Sequence, residues 1–359
     1  MVPSVARIAP EVVDELAGCG CFDLIINEAD GSRMRSFKAP AGHEPVIPAS
    51  TTLVTPVVGM DVLGQALTDE TVHRANLVSQ LSGTGLGQPV TLQTIAGVLC
   101  HSQGGLKNVP AKARLVPLLN KVSTPTGLTA ARELAAKLLM CERIAEVVIG
   151  SAHAADNPVH EVHGRTAAII LAAGGSSRFG SPKQLARWGE QTFIERVVEL
   201  ALASPARPVM VVLGAEAEQC LPLLKDKPVE IVMNKEWASG QSTSMKVGLA
   251  ALPPQVNSAV FMLADLPGLS STIIEALIQR HRQTLAPVIW PEFQGQRGNP
   301  ILFDRTLFAE LQQIRGDTGG RPLLKTYQDQ AERVAVEDAG ILLDFDRAED
   351  LAAYSAGPL

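Results

Sequence analysis

The chain has 359 residues, 46% hydrophobic and 19% charged, with a formal net charge of −6. That length accommodates two cores of ordinary size, and that apolar content excludes a disordered chain. The acidic balance argues against a nucleic-acid partner, which needs a basic face, and five cysteines, an odd number, do not make a disulfide framework. The opening residues MVPSVARIAPEVVDEL lack the basic and apolar regions of a secretory signal. No run of 18 to 20 apolar residues suggests a spanning helix, so no membrane association is expected. A reducing cytoplasm suits all of this. Cys19 and Cys21 form a C-x-C pair that could hold a metal. No second pair at zinc-site spacing accompanies them, and two buried thiols is the plainer reading.

Residues 22–30 (FDLIINEAD) read as an apolar strand ending in Glu28 and Asp30, laid out like a Walker B strand. Thr52–Gly59 reads as a second strand and Leu115–Val122 as a third, ending in Asn120, Lys121 and Ser123. Asn-Lys-x-Asp after a strand can read guanine, but Ser123 stands at the Asp position, so a parallel strand with a polar end is the simpler reading. An apolar helical stretch follows over 128–149. Residues 151–165 then carry three of the seven histidines without hydrophobic period, as a linker would. The expected organisation is therefore an α/β domain over 1–150, a linker over 151–165 and a second domain over 166–359.

From Ala167 short β-branched runs alternate with helical periods. Strands are expected at Ala167–Ala173, Val209–Leu213, Val229–Met233 and Ala259–Leu263. Helices are expected at Thr192–Ala203, Ala215–Leu224, Ser242–Leu252 and Ser270–Arg282. This alternation predicts right-handed βαβ units in a doubly wound sheet, whose ligands bind at the carboxyl ends of the strands. The loop after the first strand, from Leu171 to Lys183 (LAAGGSSRFGSPK), has adjacent glycines that bring backbone N–H groups close to an anion. Arg178 and Lys183 add charge suited to a triphosphate. The loop contains neither a Walker A motif nor a G-x-G-x-x-G fingerprint. Asp265, after Ala259–Leu263, is placed either to hold Mg²⁺ or to cap a turn. Gly240–Leu249 begins like a helix N-terminus, where Ser242 or Ser244 could cap or could grip a base or ribose.

In order, LAAGGSSRFGSPKQL, N-x-x-W-A-S-G-Q-S-T-S-M-K-x-G-L, ADLP, RGNPILF, GDTGGRPLL and LLDFDRAEDL resemble the MocA family of molybdenum cofactor cytidylyltransferases, over about residues 166–356. The resemblance implies a Rossmann-like nucleotidyltransferase fold and transfer of CMP from CTP to the phosphate of molybdopterin or molybdenum cofactor, with release of pyrophosphate. It places Ala172, Ala173, Gly174, Gly175 and Ser176 along the nucleotide, and Arg178 and Lys183 on the triphosphate. Gly240 and Ser244 would lie by the base and ribose, and Asp265 would bind Mg²⁺. Asp344 or Asp346 would supply the second metal carboxylate, and Gly298, Asn299 and Asp317 would lie by the acceptor. Leu-Ala-Ala-Gly matches the cytidylyl branch better than the guanylyl branch, favouring CTP over GTP. Two departures from the family stand out: Leu266 replaces Gln or Met, and Arg347-Ala348 replaces Thr-Pro.

EADGSR at 28–33, KAPAGHEPVIP at 38–48, PVVGMDVLG at 56–64 and GGLKNVP at 104–110 resemble the YqeC family, accessory proteins of selenium-dependent molybdenum hydroxylases with a P-loop-like fold. Those relatives open with a Gly-rich, Lys-Thr phosphate loop that this chain lacks. The N-terminal domain is therefore expected to be a truncated P-loop-like fold and a poor NTPase. Its exposed sheet edge would invite a homo-oligomer or another partner. The two resemblances together leave two roles open. One is an enzyme that transfers a nucleotidyl group to the cofactor or another phosphorylated small molecule. The other is a non-catalytic carrier that hands cofactor to an apo molybdenum hydroxylase. The set Arg178, Lys183 and Asp265 separates them, because a carrier needs no metal–triphosphate apparatus.

Overall fold

The computed structural model describes residues 8–175, 179, 181–343, 345 and 351. The chain divides into two compact units, Met1–His163 and Gly164–Leu359. No helix among the described residues is long and apolar enough to cross a membrane.

In the first unit Val57–Gly59, Leu118–Asn120 and Glu146–Gly150 pair in parallel, with Val57 beside Leu118 and Leu118 beside Val148. Leu53–Val54 and Arg114–Leu115 form a separate parallel pair. The two longer strands expected here are thus each broken at a proline, Pro56 or Pro117, which supplies no N–H to a ladder. Helices Leu92–Leu99 and Pro125–Leu138 start at Thr91 and Thr124, whose hydroxyls accept from backbone N–H groups in the first turn. The core gathers Leu67, Ile95, Leu119, Leu134, Ile144 and Ile149.

Four expectations for this unit are corrected. Residues 22–30 form no strand, and Phe22, Leu24 and Ile26 are exposed. Cys19 and Cys21 are exposed rather than buried. The helix over 128–149 ends at Leu138, and Glu146–Gly150 is strand, as its β-branched EVVIG composition favours. Within the expected linker, residues 159–165 belong to a long strand, Val159–Ala172.

That strand hides its period-2 pattern because its inward residues are polar. Glu161 and His163 are each 2% exposed. The Arg132 side chain forms an ion pair with Glu161, its Nε lying 3.1 Å from both carboxylate oxygens, and the His163 ring lies 2.7 Å from Glu161 Oε2. Burial raises the Glu161 pKa, but hydrogen bonds from His163 and Arg132 outweigh it and hold the group at about 2.

The second unit is a mixed sheet flanked by helices, an α/β Rossmann-like fold. Val159–Ala172 pairs in parallel with Val209–Leu213 on one side and Val256–Leu263 on the other, and Glu230–Met233 continues outward from Val209–Leu213. Beyond Val256–Leu263 the sheet adds antiparallel Ile301–Asp304 and then Val288–Phe293. Central strands that are buried throughout, such as Val209–Leu213, explain why an unbroken apolar run marked them in sequence. Helices Phe193–Ala203 and Ser271–Thr284 bury Val197, Val198, Ile274 and Leu277 against one face. Thr192 and Glu195 form a capping box that starts the first of these helices, and Ser270 caps the second. The other face packs Ile169, Val212, Met245, Phe261 and Phe303.

Candidate nucleotide-binding site

The parallel strands end in register. Leu171 lies beside Leu263, Ala172 beside Leu213, and Leu213 beside Met233. The four following loops therefore meet at one sheet edge, bringing together Gly174, Gly214, Asn234 and Asp265.

Lys183 and Asp265 face each other there, with Nζ 2.8 Å from Oδ2. Their side chains are 11% and 29% exposed, so the pair is partly shielded from water and its attraction is stronger than that of a surface pair. Asp265 lies in the turn after Val256–Leu263, as the turn reading expected, and Ser270 caps the helix that follows. Ala172 and Ala173 are buried, whereas Gly174 and Gly175 are exposed at the loop's outer turn. Gln184, 5% exposed, donates through Nε2 to the carbonyls of Gly174 at 2.6 Å and Ala172 at 3.2 Å, pinning the loop from beneath. Ser176 and Arg178 lie outside the described residues, as do Asp344 and Asp346.

Gly240 precedes helix Gln241–Ala250 with φ +108, where an added Cβ would come within 2.7 Å of the Gly316 backbone. Only glycine fits this crossing without strain. It lets Gln241 N–H donate to Asp317 Oδ1 at 3.1 Å and Ser242 N–H to the Gly316 carbonyl at 3.2 Å. Asp317 thus braces the start of the helix. Neither Ser242 nor Ser244 caps it, and both are buried. Ser244 Oγ instead accepts from Asn234 Nδ2 at 2.9 Å, while Thr243 Oγ1 lies 2.8 Å from the same nitrogen. Leu266 is 2% exposed within the main core, so its departure from the family pattern affects packing.

A cleft of about 270 Å³ opens between this edge and the following segment, lined among others by Leu171, Leu263, Gln241, Gly298, Asn299 and Arg321. Gly298 is buried and Asn299 half-buried, and Asn299 N–H donates to the Ile341 carbonyl at 3.1 Å. The structure thus gathers Lys183, Asp265, Gly174 and Gly175 at one edge, and gathers Gly298 and Asn299 around the cleft. Sequence reasoning missed Gln184, Asn234 and Arg321. Gln184 and Asn234 lie within quoted motifs, but their only signal is burial, which the sequence does not display.

Residues 168–333 match the MobA-like NTP transferase domain. A nicotine blue oxidoreductase from Paenarthrobacter nicotinovorans is 30% identical over 190 residues, which cover 51% of this chain and 93% of that protein. The chain belongs to the MobA-like NTP transferase family. A molybdenum cofactor cytidylyltransferase from Escherichia coli (strain K12) is 27% identical over 182 residues, covering 51% of this chain and 91% of that protein. Ahead of the MobA-like unit, residues 4–76 match the YqeC protein family. The YqeC protein of Escherichia coli (strain K12) is 36% identical over 130 residues, 36% of this chain. The chain spans about half of that relative's length, 51%.

Proposed function

We propose that the MobA-like unit transfers CMP from CTP to the phosphate of a molybdopterin-type cofactor. The observation that carries this reading is the Lys183–Asp265 pair, 2.8 Å apart, at the carboxyl edge that also holds the Gly174–Gly175 turn. A cation and a carboxylate beside exposed backbone suit a triphosphate and a hard divalent ion. Asp265 fits the magnesium role, because Mg²⁺ in nucleotide sites takes one or two carboxylates together with phosphate oxygens. Mg²⁺ bound there would neutralise phosphate charge.

The chain's own residues then act by position. Lys183 exchanges its contact with Asp265 for the triphosphate, the glycine turn presents N–H groups, and Gln184 keeps that turn in shape. An oxygen of the acceptor phosphate attacks the α-phosphorus. One P–O bond forms, the α–β bridge breaks, and pyrophosphate departs with the bridging oxygen. The acceptor phosphate is already anionic at neutral pH, so orientation and charge neutralisation supply most of the rate, and no strong base is required. The Leu-Ala-Ala-Gly turn favours CTP over GTP, and the likeness to the cytidylyltransferase supports the acceptor class. Together with the YqeC-type unit, this supports a role in maturing a molybdenum hydroxylase.

The test is pyrophosphate release with Mg²⁺ and each nucleoside triphosphate, with and without molybdopterin. Release that requires both CTP and the pterin supports the reading. A folded protein that binds the pterin but releases nothing from any nucleotide supports a carrier role instead.

A further inference from the structure

Beyond the acceptor cleft the sheet edge turns basic, against the chain's net charge of −6. Strand Val288–Phe293 carries Trp290 and Glu292 on one face, by the alternation of a strand. Gln294 and Gly295, both at positive φ, make a tight turn that folds Gln296–Arg297 back so that Arg297 lies opposite Glu292. On the other flank, Glu332–Ala335 runs parallel and sets Arg333 beside Trp290. Helix Arg321–Thr326 then presents Arg321 and Lys325 four residues apart, hence on one side. All four cations line a second cleft of about 320 Å³. Arg297, Arg321 and Leu324 line both this cleft and the first, so the two adjoin.

The charges here are only partly compensated. Among the described residues lining the cleft, Glu292 is the one carboxylate, and it pairs with Arg333 at 3.9 Å. Among the described residues, no ion pair engages Arg297, Arg321 or Lys325. Arg297 is held instead with its guanidinium carbon 5.7 Å from the centre of the Trp290 ring. Trp290 is itself 4% exposed and therefore fixed. A guanidinium stacked on a buried ring keeps its N–H edge available for a ligand, and the stacking restricts its motion.

We propose that Arg297, Arg321, Lys325 and Arg333 form an anion-binding subsite that grips a second anionic group on the acceptor, remote from the phosphate that is attacked. The inference rests on the nucleotidyl-transfer reading for the acceptor's placement, while the anion site itself stands on the geometry of the second cleft. The subsite orients an elongated dianion across the adjoining clefts and disfavours acceptors whose far end is neutral.

The test uses inorganic phosphate as probe on the full chain at low ionic strength, followed by equilibrium binding of radiolabelled phosphate. The double variant Arg321→Glu/Lys325→Glu should weaken one class of phosphate sites at least tenfold, and Arg321→Gln/Lys325→Gln should give a smaller loss in the same direction. Lys183→Ala should leave that class within twofold of wild type. In the transfer assay the Gln double variant should raise the acceptor KM at least tenfold while the CTP KM stays within twofold. Unchanged phosphate binding in both double variants would overturn the subsite, as would loss of all binding in Lys183→Ala. If the wild type releases no pyrophosphate, the transfer reading fails while the phosphate arm still decides the anion site. A raised CTP KM with an unchanged acceptor KM would contradict the subsite alone.

Discussion

Both units carry a lysine–aspartate pair at the carboxyl end of parallel strands, and both pairs close at 2.8 Å, Lys121 with Asp61 and Lys183 with Asp265. Their surroundings differ. The Lys121 and Asp61 side chains are 45% and 51% exposed, those of Lys183 and Asp265 only 11% and 29%. Lys121 also donates to Ser36 Oγ at 2.8 Å, a local contact that tethers a loop. A glycine segment braced by Gln184 stands beside the second pair. The same two residue types are thus a solvated tether in one unit and a candidate catalytic pair in the other. Water screens the first, and burial strengthens the second.

The largest expected contrast is in activity. Asp265→Ala should lower pyrophosphate release on the order of 10³-fold with the melting profile kept, whereas Asp61→Ala should leave the rate within about twofold. A retained rate in Asp265→Ala would remove the distinction drawn between the pairs.

Acid should act most on the first unit, although in the second unit burial raises the Asp304 pKa and hydrogen bonds from His281 and Thr306 bring it below its ordinary value. Burial raises the Glu161 pKa, but His163 and Arg132 hold it at about 2, and hydrogen bonding to Arg74 holds Glu44 at about 2, both below the ordinary 4.5. Folded pKa values that lie below the unfolded ones contribute stability that is complete above pH 4.5 and is lost as pH falls from 4.5 through 2. The loss should be on the order of 2 kcal/mol for Glu161, and Glu161→Gln should flatten the curve. The three tryptophans, Trp188, Trp237 and Trp290, all lie in the second unit. Acid unfolding should therefore appear in far-ultraviolet circular dichroism before it appears in tryptophan fluorescence. Simultaneous transitions would show that the units unfold together.

Gly240→Ala forces a Cβ toward the Gly316 backbone at φ +108 and should cost about 2 kcal/mol, read as a lowered Tm. An unchanged Tm would mean that the 316–317 segment yields easily. The smallest effect is expected for Lys121→Ala, below about 0.5 kcal/mol by urea titration. A larger loss would give the first unit's pair a structural weight comparable to that of the second.

The parts of this molecule legible in sequence were those whose burial is apolar. Val209–Leu213 was marked to the residue because every side chain is inside, and Ser270 marked the start of its helix because capping is local chemistry. The strand over 159–165 was not legible, because Glu161 and His163 are buried by virtue of Arg132, a partner 29 residues from Glu161. Residues 22–30 erred in the other direction: strand-like composition gives no strand where no neighbour pairs with it. That Lys183, Asp265 and the glycine loop meet at one sheet edge was legible from their places after strands. The basic cleft was not, since Arg297, Arg321 and Arg333 meet only through a hairpin turn and two strand registers.

On the proposed function, the edge holding Lys183 and Asp265 turns over CTP. Pyrophosphate release measured with Mg²⁺, molybdopterin and each nucleoside triphosphate in turn tests it most directly. Release with CTP that vanishes without the pterin and in Asp265→Ala is the predicted result. Equal release in wild type and Asp265→Ala, or none with any nucleotide from a folded, pterin-binding protein, would contradict it.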